Sequence, residues 1–169
     1  MMEELERVYR RLLMMVRSGR GLLVNDAGSV QTVQVRLSGA EVLDDLPRLA
    51  EYGFQSNPPA GDDKVVLFIG GNLTDGVVIA TGHQLYRMRG LASGEVAISD
   101  DKGQRVYLSA AGIRIEGGSL PVTINASAGL AINGPTTFAG TVTANGHRID
   151  ETHRHSGVAT GGSNTGVVT

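Results

Sequence analysis

The sequence predicts a mainly β protein with one helix at its N-terminus. Three observations support this: 24 glycines in 169 residues, only four Tyr and three Phe with no Trp, and apolar residues that alternate with polar ones. A compact monomer of this length usually buries several aromatic side chains, each covering roughly 150–250 Å². The apolar residues still make up 41% of the chain, which is too many for a disordered protein. We therefore expect short strands and turns without one thick core.

Charge and composition exclude several classes of protein. The formal net charge is −2, so no global basic field indicates a nucleic-acid partner. The absence of cysteine excludes a disulfide framework, a thiolate zinc site and a cysteine nucleophile. No apolar run reaches 18 residues, and the acidic start Met-Met-Glu-Glu-Leu-Glu is unlike a secretory signal. We expect a chain that is made and assembled in a cytoplasm.

Residues 3–17 are predicted to form an amphipathic helix within an N-terminal region spanning 1–20. Glutamates open this segment and arginines close it, which suits the helix dipole, and Gly19 is the expected C-terminal stop. The helix either packs on its own domain or contacts a neighbouring chain. Its apolar stripe consists of Leu5, Val8, Tyr9, Leu12 and Val16.

Residues 21–90 are predicted to form a small all-β domain. Apolar and polar residues alternate over 32–37 after a turn at 26–28, which is typical of a half-buried strand. The apolar run 64–69 and the run 77–79 flank a glycine-rich turn, as in a hairpin. About five short strands in this length suit a small barrel of the OB type.

Residues 91–146 contain an approximate eight-residue repeat of very short strands. Apolar pairs at i and i+2 recur, and their first members step by 10, 7, 9 and 8 residues, with Gly, Asn, Ser and Pro between them. Each strand offers two inward side chains, too few to bury a core alone. The pairs are Val96/Ile98, Val106/Leu108, Ile113/Ile115, Val122/Ile124 and Leu130/Ile132.

Three arrangements accommodate such a repeat. One chain coils into a β-helix by itself, or several chains wind together around a shared core, or the strands form an ordinary meander packed on the preceding barrel. A single-chain β-helix usually needs more residues than this stretch has. Three chains would supply six inward side chains per layer, a narrow core that can be filled. We favour an intertwined trimeric β-helix.

His153 and His155 are the candidate metal ligands. In an extended segment, residues i and i+2 point to the same side, so the two imidazoles can share one ion. In a threefold assembly six imidazoles would converge, which fits an octahedral ion and not tetrahedral zinc. Iron(II) is the first choice, with nickel and cobalt as chemical alternatives, and a closed site of this kind is structural. A solvated tail is the other interpretation of the same residues.

Catalytic interpretations of the sequence are weaker. The His-Arg-His segment is followed by Ser156 to Gly161, without the carboxylate that a single-chain His-x-His metal site needs. Gly70-Gly71 is not followed by the Gly-Lys-Ser/Thr of a phosphate-binding loop, and no Gly-x-Ser-x-Gly elbow occurs. We expect that the protein is not an enzyme, and we interpret His83 and His147 as surface or turn residues.

Four segments resemble one family of contractile phage tails. Residues 41–47 and 52–61 are similar to the first barrel segment of that family, and 86–97 are similar to its junction into a stem. Residues 150–158, Asp-Glu-Thr-His-Arg-His-Ser-Gly-Val, resemble its metal-binding tip, although Arg154 replaces a small polar residue. The family is the baseplate assembly protein V group, the Mu-type central spikes.

The resemblance implies a homotrimeric spike in the baseplate of a phage tail or of a tail-like bacteriocin. It implies a hub-docking barrel at 21–90, a β-helical stem at 91–146 and an apex at 147–169. His153 and His155 of three chains would hold one iron, and some relatives also hold calcium and chloride near the tip. The implied partners are baseplate hub proteins and the host outer membrane, which the spike pierces when the sheath contracts. The alternative function is a trimeric tail-fibre or adhesin module that binds a surface glycan.

Overall fold

The structure is a computed structural model that describes residues 1–149 and 161. The chain forms two compact units, Met1–Thr123 and Ile124–Thr169. The predicted domain boundaries at 20, 90 and 146 stay predictions. The elements in chain order are α1 Met2–Met14, β1 Val16–Asn25, β2 Thr32–Arg36, β3 Val42–Pro47, β4 Asp63–Phe68, a 3-10 turn Ile69–Gly71, β5 Gly76–Gly82, β6 Val96–Ser99, β7 Arg105–Ser109, β8 Gly112–Glu116, β9 Thr143–Ala144 and β10 His147–Arg148.

Helix α1 is shorter than the sequence predicts. It ends at Met14, and β1 begins at Val16, so the predicted helix end at residue 17 and the stop at Gly19 are wrong. From Val16 onward the backbone pairs with β4, where Val16 lies opposite Leu67. The apolar spacing that continued to Val16 therefore reflects a strand that follows the helix directly. No helix in the described part of the chain is long and apolar enough to cross a membrane.

Strands β1 to β5 form a five-stranded antiparallel sheet in the order β3-β2-β1-β4-β5. A parallel bridge between Arg48 and Val78 joins the two edges of this sheet. The Leu49 amide also donates a hydrogen bond of 3.0 Å to the Val78 carbonyl. The sheet therefore curls until its edge strands meet. The strand predicted at 32–37 and the hairpin predicted at 64–79 are both present.

The core lies inside this curled sheet. In β4, the side chains of Lys64, Val66 and Phe68 point inward while their neighbours are only half-buried, the period of two expected for a strand with one buried face. The buried apolar side chains come from β2, β3, β4, β5 and the residue after β2. They are Val33, Val35, Leu37, Leu46, Val66, Phe68 and Val78.

Strands β6, β7 and β8 form a separate three-stranded antiparallel meander. They coincide with the first three apolar pairs of the repeat. The strands predicted at Val122/Ile124 and Leu130/Ile132 are absent from the described chain, so this part of the prediction is wrong for a single chain. A strand requires a hydrogen-bonding neighbour, and the described residues place none beside these two pairs.

The second unit, as far as it is described, contains the hairpin β9–β10. Ala144 pairs with His147 and Thr143 with Arg148. The two loop residues, Asn145 and Gly146, have φ of 50° and 80°. Two consecutive positive φ values define the type I′ turn, which matches strand twist and favours Asn-Gly.

Candidate interface and metal-ligand region

The register of the β6–β8 sheet aligns the apolar repeat across its strands. Residues directly opposite each other in an antiparallel pair project to the same face, and so do residues i and i+2 of one strand. The pairing therefore creates two apolar rows on a single face, which we call the apolar face. Its rows are Val96–Leu108–Ile113 and Ile98–Val106–Ile115.

This apolar face is uncovered in one chain. Five of its six side chains are 42–71% exposed, and Val106 is half-buried. Contiguous apolar patches of this kind mark surfaces that another molecule covers. The later pairs at 122/124 and 130/132 are exposed to a similar degree. Most apolar side chains of the meander are thus not packed on the barrel.

The opposite face of the same sheet is polar, and two of its side chains donate hydrogen bonds to carboxylates. Arg105 Nε donates a hydrogen bond of 2.5 Å to Glu116 Oε2, and the Tyr107 hydroxyl donates one of the same length to Glu95 Oε2. The Ala92 amide donates to the same carboxylate oxygen at 2.9 Å. This face is suited to solvent, whereas the apolar face is suited to a protein interior.

The Glu95–Tyr107 contact shifts the acidity of both groups. The hydrogen bond from Tyr107, with a smaller effect from the Ala92 amide, lowers the pKa of the Glu95 carboxyl. The same hydrogen bond raises the pKa of the Tyr107 hydroxyl, because it stabilises the protonated phenol. The contact links the turn before β6 to β7. It therefore fixes the start of the meander.

The barrel contains a buried ion pair that the sequence analysis missed. Lys64 Nζ lies 2.5 Å from Asp62 Oδ2, and both side chains are excluded from solvent. Burial lowers the pKa of Lys64, although Asp62 opposes this effect. The sequence analysis treated Lys64 as the start of an apolar run. Its alternation with Val66 and Phe68 was the signal that this lysine points into the core.

Arg48 fastens the loop that follows β3 to the barrel. Its Nε donates to Thr81 Oγ1 at 3.0 Å, and one terminal nitrogen donates to Gln31 Oε1 at 2.6 Å. Its two terminal nitrogens also donate to the carbonyl and the hydroxyl of Ser56, at 2.8 and 2.9 Å. Sequence spacing gave no sign of this role, because the partners lie 8 to 33 residues away along the chain.

The candidate metal ligands His153 and His155 lie outside the described residues. Among the residues that are described, no group of three or more His, Asp or Glu is arranged to hold a metal ion. His147 is exposed in β10. The His83 ring packs against Tyr86 at 4.4 Å between centroids, and its Nδ1 accepts a hydrogen bond from the Leu85 amide at 3.3 Å. The metal site stays a prediction.

Known proteins resemble this chain in the barrel and beyond it. A family profile described as "Bacteriophage Mu Gp45, N-terminal" matches residues 20–85, which include β2 to β5 and most of β1. The Mu-like prophage FluMu protein gp45 of Haemophilus influenzae is 30% identical over 159 residues, which are 89% of this chain and 85% of that protein.

A second relative is the baseplate puncturing device gp45 of Escherichia phage Mu. It is 29% identical over 136 residues, which are 80% of this chain and 68% of that protein. Both alignments are longer than the barrel, so the similarity extends into the apolar repeat. The chain belongs to the bacteriophage Mu Gp45 family.

Proposed function

We propose that this protein is the central spike of a contractile tail baseplate and pierces the host outer membrane when the sheath contracts. Its family includes a relative named for puncturing at the baseplate. The site of action is then the baseplate of the virion tail, in contact with other baseplate proteins. The role is mechanical rather than enzymatic.

The observation that supports the spike most strongly is the apolar face of the β6–β8 sheet. A sheet with one polar face and one uncovered apolar face is half of a packed layer. We propose that three chains cover these faces mutually, so that the stem is an intertwined trimeric β-helix. Few sheet edges would then stay free, and axial load would pass through continuous backbone hydrogen bonds.

We propose that the barrel is of the OB type and docks on the tail hub. The strand order β3-β2-β1-β4-β5 and the parallel bridge from Arg48, the residue after β3, to Val78 in β5 support this assignment. The barrel has its own core and needs no second chain to cover it. It is therefore suited to attach the stem to the particle.

We propose that His153 and His155 of three chains hold one iron ion at the tip. The donor set fits, since six neutral imidazole nitrogens suit an octahedral ion such as iron(II). A bound ion would tie together three chain ends that would otherwise fray. Calcium and chloride near the tip remain part of the proposal without assigned ligands.

The stem is tested by two matched sets of variants. Ile113→Gln with Ile115→Gln places polar groups on the apolar face, whereas Arg114→Gln changes the polar face of the same strand. In a phage whose own copy of the gene is deleted, we expect the wild type and Arg114→Gln to restore plaques and the double variant to fail. Infectious particles without any spike would contradict the proposed function.

The tip is tested by elemental analysis of protein whose mass in solution is known. We expect about one iron per three chains, lost in His153→Ala with His155→Ala and retained in His147→Ala. Iron that persists in the double variant would contradict the ligand assignment but not the spike.

The adhesin alternative receives no specific support. Sugar-binding tips usually expose aromatic side chains for stacking, and Phe138 is the only aromatic residue after position 108. Clear hits of the full chain on a glycan array would favour that alternative.

A further inference from the structure

Helix α1 presents an apolar stripe that the described part of the chain leaves uncovered. None of its residues is buried, and Leu5, Val8 and Leu12 are 51–70% exposed. A helix of 13 residues is marginal in water without tertiary contacts. The stripe therefore indicates a contact that one chain does not supply.

The spacing of this stripe is that of a coiled coil. Apolar residues stand at positions 1, 5, 8, 12 and 15, alternating steps of four and three residues that repeat every seven. In this register Leu5 and Leu12 take position a, and Val8 takes position d. Leucine at a with a β-branched residue at d disfavours two-stranded coiled coils and favours three or more strands. We call Leu5, Val8 and Leu12 the seam.

Charge is confined to the other sides of the helix. The charged residues at 3, 4, 6, 7, 10 and 11 occupy positions b, c, f and g, so none falls at a, d or e. Glu6 and Arg10 pair with each other across one turn at 3.7 Å. The seam is therefore uncharged, and the surface that complements it is another uncharged apolar stripe, such as its own copy.

The base of α1 is fixed to the barrel. The Met15 carbonyl accepts a hydrogen bond of 2.7 Å from the amide of Phe68, a core residue. The backbone of Arg11 packs directly on Gly71, where an added Cβ would lie 2.3 Å from the Arg11 carbonyl oxygen. The helix thus leaves the barrel in a defined direction. Its base is anchored to the barrel by these contacts.

The size of the stripe decides between a second copy and an unrelated partner. Thirteen residues give a helix about 20 Å long and about 10 Å wide, so one side covers roughly 200 Å². Stable interfaces between separate proteins bury about 800 Å² per partner. A seam this small associates only where the chains are already held together at high effective concentration. The other copies in an assembled trimer meet that condition.

We propose that the three α1 helices of the spike pack side by side as a short parallel three-stranded coiled coil through the seam. This inference rests on the proposed trimer, whose threefold axis makes the helices parallel. The three chains would then contact each other in two regions. One is the intertwined stem, and the other is the helical seam.

The absence of cysteine in the natural chain allows a direct test. Val8→Cys places a thiol in the seam, and Arg7→Cys, its neighbour on the outer side, is the matched control. Full-length protein is treated with a short bis-maleimide linker, and covalent dimers are quantified on a denaturing gel. We expect at least tenfold more dimer for Val8→Cys, with linkage of at most about two thirds of the chains, since one thiol in a threefold ring stays unpaired.

The solution mass of each variant separates the two proposals. A trimeric mass with equally low linkage at both positions would overturn the coiled coil and leave the spike intact. A monomeric mass would overturn the trimer itself. Leu5→Cys provides a second seam variant, for which we expect the same linkage as for Val8→Cys.

Discussion

The barrel and the meander of this protein are built from the same side chains but differ in what covers them. Both use Val, Ile and Leu in alternation, yet the barrel excludes Val35, Val66 and Val78 from solvent whereas the meander leaves Ile113 and Ile115 largely exposed. The difference teaches that alternation of apolar and polar residues identifies which face of a strand is to be covered, but not which chain covers it. The topology of the sheet decides whether the same chain can cover that face.

Topology differs in one respect that matters. The barrel closes on itself through the Arg48–Val78 bridge, so one chain fills its own interior. The meander has three strands, two free edges and no second layer among the described residues. Native proteins rarely leave such edges and faces open. The barrel is therefore complete in one chain, and the proposed trimer would complete the meander.

The largest expected effect lies in the barrel core. Phe68→Ala removes a fully buried ring and should lower the free energy of unfolding of the barrel by about 3–5 kcal/mol. The neighbouring Ile69→Ala changes an exposed side chain and should stay within about 0.5 kcal/mol. Urea denaturation followed by circular dichroism measures both. Similar losses for the two variants would mean that the barrel core is not where the structure places it.

The buried ion pair should be nearly as sensitive. Asp62→Ala leaves Lys64 as an uncompensated buried charge and should cost about 3–5 kcal/mol. Adding Lys64→Met removes that charge and should recover most of the loss, because an apolar replacement of a buried pair is often neutral. Denaturation midpoints of the single and double variants provide the measurement. A double variant as unstable as the single one would show that the pair is needed for packing rather than for charge compensation.

A smaller effect is expected at the start of the meander. The pKa of Glu95 is lowered in the folded protein, so its ionised carboxylate stabilises the fold. This contribution is fully present above pH 4.5, the ordinary pKa, and is lost as the pH falls through the lowered pKa. Tyr107→Phe removes the main cause, so the titration of the Glu95 carboxyl carbon in NMR spectra should move upward toward 4.5. Tyr9→Phe on α1 is the control and should leave the titration of Glu95 unchanged. An unchanged Glu95 titration in Tyr107→Phe would contradict the hydrogen bond.

Sequence patterns anticipated the barrel better than its surroundings. The strand near Val33 and Val35 and the hairpin around Gly70 followed from alternation and turn residues, which are local signals. The end of α1 was wrong, because Val16 continues the helical spacing while its backbone pairs with Leu67 far along the chain. The role of Arg48 could not be predicted at all, since its partners meet only in the folded barrel.

The candidate site shows the same limit. The i and i+2 pairs located the apolar residues of the repeat, but only the register of β6, β7 and β8 shows that the first three pairs form two rows on one face. The predicted strands at Val122/Ile124 and Leu130/Ile132 have no partner in the described chain. His153 and His155 lie outside the described residues, so the metal site stays a prediction from the spacing of the two histidines and from the resemblance of residues 150–158.

The mass of the full-length protein in solution tests the central claim most directly. Sedimentation equilibrium or light scattering should give three times the 17.7 kDa of one chain, because in the proposed trimer the apolar faces of the meanders cover one another. Ile113→Gln with Ile115→Gln should reduce that mass, and Arg114→Gln should not. A wild-type mass of 17.7 kDa, with the apolar face accessible in solution, would contradict the account.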